Sequence, residues 1–215
     1  MSKESFETPS EAPFQVFSTA GYPTYCTNNP YNFTKKDIEN IKSEKKEFAV
    51  GNFLSNNTYI LNEEKYSDIK KYIIFHIERY TKDILRVSND NEVYITQSWL
   101  NFSNPNMSHH EHSHPNSFIS GIMYIQSNEQ CPTVFAMKDN MFSITPKFLE
   151  WNVYNSGLQQ VYQKPGGVVL FPSTLRHMVP PFKGKDSDVR ITLSFNTYVK
   201  GKLNSLNDKL TQLDL

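Results

Sequence analysis

Two hydrophobic periods divide the chain. Between Glu63 and Leu85 the apolar residues Tyr66, Ile69, Ile73, Ile74, Ile77, Tyr80 and Ile84 recur at steps of three and four, which predicts a helix with one face on a sheet. A shorter charged helix is expected from Lys35 to about Lys46, with Asn32 or Thr34 as its N-cap. From about Glu92 the period falls towards two. Val93 to Trp99 alternates, while Gly121 to Ile125, Thr133 to Met137, Gly167 to Phe171 and Val189 to Asn196 are short apolar runs bounded by Asn, Pro, Ser or Asp. Several short strands without helices between them argue for a sandwich or jelly roll. The expected fold is mainly β with N-terminal helices. Residues 1–34, with Pro9, Pro13, Pro23 and Pro30, read as an extended arm. Residues 35–90 read as helical support, 91–200 as the catalytic core and 201–215 as a tail with a short helix from Leu206, all in one globular domain.

Composition narrows the function. Lys plus Arg and Asp plus Glu are 22 each, so no net field favours nucleic acid or an anionic membrane. Cys26 and Cys131 match no metal spacing and read as reduced thiols. No apolar run reaches the ~20 residues of a membrane span, and the N-terminus lacks a secretory pattern, so a cytoplasmic protein is expected.

The candidate chemistry lies in the histidines. His109, His110, His112 and His114 crowd one inter-strand segment. In an extended chain residues i and i+2 point the same way, so His112 and His114 can meet at one point. His177, after the strand ending at Phe171, supplies a third ligand from a distant strand, the pattern of a facial metal site with open positions. His109-x-Glu111 with His177 is a second possible frame, and a solvated histidine-rich loop is the bland alternative. His76, in the helix, reads as structural. Arg190 and Thr192 share one strand face, and a guanidinium beside a hydroxyl suits a carboxylate.

Five segments in order, Trp99-Leu100-Asn101, His112 to Ser117, Ser120 to Ile125, Phe171 to His177 and Arg190 to Asn196, resemble the iron(II)/2-oxoglutarate oxygenases of phages and bacteria, relatives of the prolyl hydroxylases. The resemblance runs from about Trp99 to Asn196. It implies a double-stranded β-helix, a ferrous ion on His112, His114 and His177, and 2-oxoglutarate held through its distal carboxylate by Arg190 and Thr192. Tyr124 falls where prolyl hydroxylases place a tyrosine on that carboxylate, and Asn101 would line the pocket. Dioxygen and an unidentified primary substrate, with protein or peptide side chains as the nearest analogy, complete the reactants. A phage-encoded enzyme would work in the host cytoplasm. The chain departs from the superfamily's His-x-Asp at His114, where an imidazole replaces the carboxylate. A three-histidine enzyme without 2-oxoglutarate, a zinc hydrolase, or a non-catalytic metal-stabilised jelly-roll binding or virion protein are the competing readings. The stretch from Lys138 to Gln163 would form a lid or a wall of the substrate pocket.

Overall fold

The computed structural model describes residues 14–19, 21–127, 131–136, 147, 149–150, 156–185, 187–204 and 213–215. The expected tail helix from Leu206 and most of the expected wall from Lys138 lie outside them.

In chain order the strands are β1 (Phe14–Thr19), β2 (Tyr22–Thr27), β3 (Lys46–Phe48), β4 (Phe53–Ser55), β5 (Asn91–Ser103), β6 (His109–His112) and β7 (Ile119–Gln126). They continue as β8 (Thr133–Ala136), β9 (Leu158–Val161), β10 (Val168–Pro172), β11 (His177–Val179), β12 (Arg190–Leu203) and β13 (Leu213–Asp214). The helices are α1 (Lys35–Ser43) and α2 (Ser67–Glu78). All strand pairs are antiparallel. The large sheet runs β1-β2-β10-β7-β12-β5-β4-β3, with β13 also on β12, and the small sheet runs β6-β11-β8-β9.

Thr34 caps α1 through a capping box: its hydroxyl accepts from the Asp37 amide, and the Asp37 carboxylate accepts from the Thr34 amide at 2.8 Å. The long periodic segment forms α2 and then, at Arg79–Ile84, a single π turn. Its Tyr66, Ile69, Ile73, Ile77 and Tyr80 are buried, whereas Ile74 faces out. They pack with Leu100, Phe102, Met123, Leu170, Ile191, Leu193 and Phe195 in one cluster on the outer face of the large sheet. Gly121 permits this closeness, since a Cβ there would collide with the Phe195 ring. A second cluster, with Ile122, Tyr124, Phe135, Val169 and Phe171, lies on the other face. Alternation along β12 therefore sends Ile191, Leu193 and Phe195 towards the helix and leaves Arg190, Thr192, Ser194 and Asn196 for the opposite face.

Two segments are more regular than their composition suggests. The arm expected over residues 1–34 contains the β1–β2 hairpin. Pro23 sits there where β2 pairs with β1 but not with β10, so its missing amide breaks no second ladder. The support region expected to be helical also contributes the β3–β4 hairpin, joined to β5 through Phe53 and Leu54.

Candidate metal centre and carboxylate site

His112 ends β6, His114 follows it in the turn, and His177 opens β11 directly opposite His112. The turn is pinned by the His114 amide, which donates to the Ser173 carbonyl at 2.9 Å. One ring nitrogen from each of the three histidines lies within 4.8 Å of the others. Each Nδ1 is already committed: that of His112 to the His110 carbonyl at 2.8 Å, that of His114 to the Asn196 Oδ1 at 2.6 Å, and that of His177 to the Leu175 carbonyl at 3.1 Å. These oxygens only accept, so Nδ1 carries the proton and the Nε2 lone pair of each ring is free for a metal. The His114 Nε2 is buried and has no hydrogen-bond partner among the described residues. Burial holds all three imidazoles below their ordinary pKa, His177 furthest, so they are neutral and ready to ligate near neutral pH. A buried, unpaired imidazole nitrogen is costly unless something binds it, and the donor set fits a divalent transition metal.

The alternative frame separates in space. β11 advances two residues, His177 to Val179, while β6 advances three, His112 to His109, so a bulge lies between them. The bulge brings His109 to the same cleft as His112, with ring centroids 4.5 Å apart, and leaves Glu111 outside, exposed and paired with Arg176. Burial pushes His109 down to about pKa 4.

The cleft extends from the histidines to Arg190 and is also lined by Trp99, Asn101, Thr192 and Ser194. Arg190 is only 3% exposed. Its Nη1 donates to the Thr192 hydroxyl at 3.4 Å and its Nη2 to the Thr133 hydroxyl at 3.2 Å, while Nε has no partner and no carboxylate among the described residues pairs with it. Tyr124 shares the Thr133 hydroxyl at 2.5 Å, and its ring lies 5.3 Å from the guanidinium. A buried guanidinium without a counter-ion is unfavourable in isolation and selects an anionic ligand. Asn101 turns its amide to the Ser194 hydroxyl at 2.9 Å. The geometry thus joins a neutral three-nitrogen site to a buried guanidinium in one cleft.

Residues 97–196 match the model of a family described as "Putative 2OG-Fe(II) oxygenase". This segment is similar to the 2OG-Fe(II) oxygenase family. The fold of the chain is similar to that of a 2OG-Fe(II) oxygenase family oxidoreductase from Burkholderia pseudomallei, at 10% identity and a TM-score of 0.56 over 81% of this chain and 83% of that one. A prolyl hydroxylase from Trichoplax adhaerens, solved with a peptide of the hypoxia-inducible-factor oxygen degradation domain, gives 11% identity and a TM-score of 0.54 over 81% and 83%. HygX from Streptomyces hygroscopicus, solved with nickel, 2-oxoglutarate and hygromycin B, gives 12% and 0.53 over 83% of each chain. The comparison with curated proteins found no match. No helix among the described residues is long and apolar enough to cross a membrane.

Sequence reasoning did not assign three contributors. Thr133 opens β8 and bonds both Arg190 and Tyr124. Asn196 lies four residues beyond Thr192 on the same face of β12, a spacing that could have marked it. Asn52 lies on the hairpin in the expected helical region and carried no motif.

Proposed function

We propose that the protein is an iron(II)- and 2-oxoglutarate-dependent oxygenase that binds iron through His112, His114 and His177 and receives the distal carboxylate of 2-oxoglutarate at Arg190, Thr192 and Thr133, with Tyr124 supporting Thr133. The observation that carries this reading is the pairing of three Nδ1-anchored imidazoles with a buried guanidinium that has no carboxylate partner among the described residues. With iron and 2-oxoglutarate bound, the chemistry supplied is oxidative decarboxylation by dioxygen to succinate and carbon dioxide, with one oxygen atom inserted into a substrate C–H bond.

The chain's own residues do the positioning. The His110 and Leu175 carbonyls and the Asn196 amide oxygen fix the tautomer and plane of each ligand, so the three Nε2 atoms need no reorganisation. Arg190 and the two threonines set the distance of 2-oxoglutarate from the histidines. Phe171, against the His177 ring at 4.8 Å, and Phe135 at 6.0 Å back the site with apolar surface and restrict water behind His177. Because His114 replaces a carboxylate, the ligand set carries no negative charge. That favours a dianionic cosubstrate electrostatically.

We infer further that the two sheets form a double-stranded β-helix core over residues 91–200, backed by residues 35–90 in one globular domain. The structural likeness to a peptide-bound prolyl hydroxylase supports hydroxylation of a protein or peptide side chain. Ferrous iron with 2-oxoglutarate and oxygen should yield succinate from the wild type. Arg190→Ala should weaken 2-oxoglutarate binding far more than iron binding. Bound iron without 2-oxoglutarate binding, or equal loss of both in the variant, would contradict the proposal.

A further inference from the structure

We propose that the side-chain oxygen of Asn52 is the acceptor that orients the primary substrate in the metal cleft, through a neutral N–H or O–H donor on that substrate. The inference rests on the iron and 2-oxoglutarate reading of the cleft.

Asn52 reaches the cleft from the turn of the β3–β4 hairpin and is 2% exposed. Its position is set on three sides. The Ala49 amide donates to the Asn52 carbonyl at 2.8 Å, and Leu54, two residues on, pairs with Asn101. Gly51 takes φ +96, and a Cβ there would strike the backbone carbonyl of Ser108, so the hairpin turn is pressed against the segment leading into β6. The Asn52 Nδ2 faces the Asn101 Oδ1 at 3.5 Å, and the Asn101 Nδ2 in turn donates to the Ser194 hydroxyl. That chain of amides fixes which end of Asn52 is which. Its Oδ1 is left buried, with no partner among the described residues.

A buried acceptor held this firmly takes its donor from an ordered water or from the ligand that displaces that water. 2-Oxoglutarate cannot be that ligand, because its carboxylates and ketone are all acceptors at neutral pH. The histidine ligands already spend their Nδ1 protons elsewhere. The primary substrate remains. Its donor is neutral, because no Asp or Glu lines the cleft among the described residues, and Arg190, its one fixed cation, disfavours an ammonium or guanidinium. Asn52 is thus a specificity residue: it accepts from a peptide or carboxamide N–H, or from a hydroxyl, and so sets which C–H bond faces the metal.

The test uses the full chain loaded with zinc, a diamagnetic ion suited to three histidines, and with 2-oxoglutarate. Matched probes are followed by nitrogen-15 chemical shifts: N-methylacetamide against N,N-dimethylacetamide, 2-propanol against its methyl ether, and methylammonium. The member of a pair that carries a donor should bind about fivefold more tightly, the worth of one net hydrogen bond. The pair showing the larger gain names the donor as amide or hydroxyl. Asn52→Leu should abolish the gain, and Asn52→Asp should transfer the preference to methylammonium. Equal binding within both pairs, tighter binding of dimethylacetamide, or a gain that survives Asn52→Leu would overturn the assignment. If the leucine variant does not fold, the aspartate variant decides alone. The amide pair is repeated without metal or 2-oxoglutarate. Donor preference there, with zinc or 2-oxoglutarate failing to bind, would contradict the site reading and leave Asn52 standing.

Discussion

The two faces of β12 follow opposite rules. Ile191, Leu193 and Phe195 are at most 2% exposed, touch helix and sheet residues, and leave nothing unsatisfied. Arg190 and Thr192 are equally buried on the other face, yet among the described residues Arg190 keeps an unpaired nitrogen and lacks a counter-ion, and nearby His114 and Asn52 hold atoms without a partner. One face stabilises the fold and the other holds unmet polar capacity for ligands. The difference shows where stability has been traded for binding: changes to the outer face should cost folding, and changes to the inner face should cost ligands.

The largest contrast should come from His177→Ala. Removal of one of three ligands should reduce iron affinity by more than the ~10–100-fold that loss of a ligand's outer partner typically costs, with the fold retained. Iron titration alongside circular dichroism checks this, and tight stoichiometric binding by the variant would break the comparison. On the outer face, Phe195→Ala should cost about 3–5 kcal/mol in urea unfolding, since it leaves a void over Gly121. A loss below 1 kcal/mol would mean that the outer layer is loosely packed.

The outer layer also holds a pH-sensitive residue. His76 is 2% exposed, shares a hydrogen bond with the Tyr25 hydroxyl at 2.6 Å, and is pushed by burial down to about pKa 4 from 6.5. As pH falls below 6.5 the unfolded chain takes up this proton first. Stability present above about pH 6.5 is therefore lost progressively towards pH 4, by up to about 3 kcal/mol for this group. His76→Gln should be less acid-sensitive by about 2 kcal/mol, read from unfolding curves at pH 7 and pH 4.5. The smallest effect is expected at Asn196. Its Oδ1 accepts from both His114 and Ser120, so Asn196→Ala should free the His114 ring and weaken iron binding about 10–100-fold without altering the carboxylate receptor. Unchanged iron affinity would show that Asn196 does not orient the ring.

Much of the inner face was legible in the sequence because it obeys local periods. His112 and His114 are two apart, Arg190 and Thr192 are two apart on a β run, and the helix from Glu63 announces itself by its apolar steps. Contributions that depend on register were not legible. His109, a candidate only together with Glu111, enters the cleft without it through one extra residue in β6, which no local pattern displays, and Thr133 reaches Arg190 only because β8 and β12 meet across the two sheets. Asn52 comes from a hairpin of three-residue strands inside a stretch dominated by helix signals. The N-terminal segment read as irregular because of its prolines, whereas Pro23 occupies a position where a sheet tolerates the missing amide.

The most direct test of the central claim is an anaerobic titration of the ferrous protein with 2-oxoglutarate, followed in the visible range. Iron on the three histidines with 2-oxoglutarate held by Arg190 predicts a weak charge-transfer band that saturates at one equivalent. Arg190→Met, which keeps the iron, should need on the order of 10–100-fold more 2-oxoglutarate for the same band, the loss expected for hydrogen bonds to a charged group. Iron demonstrably bound with no band at any concentration of 2-oxoglutarate would contradict the account.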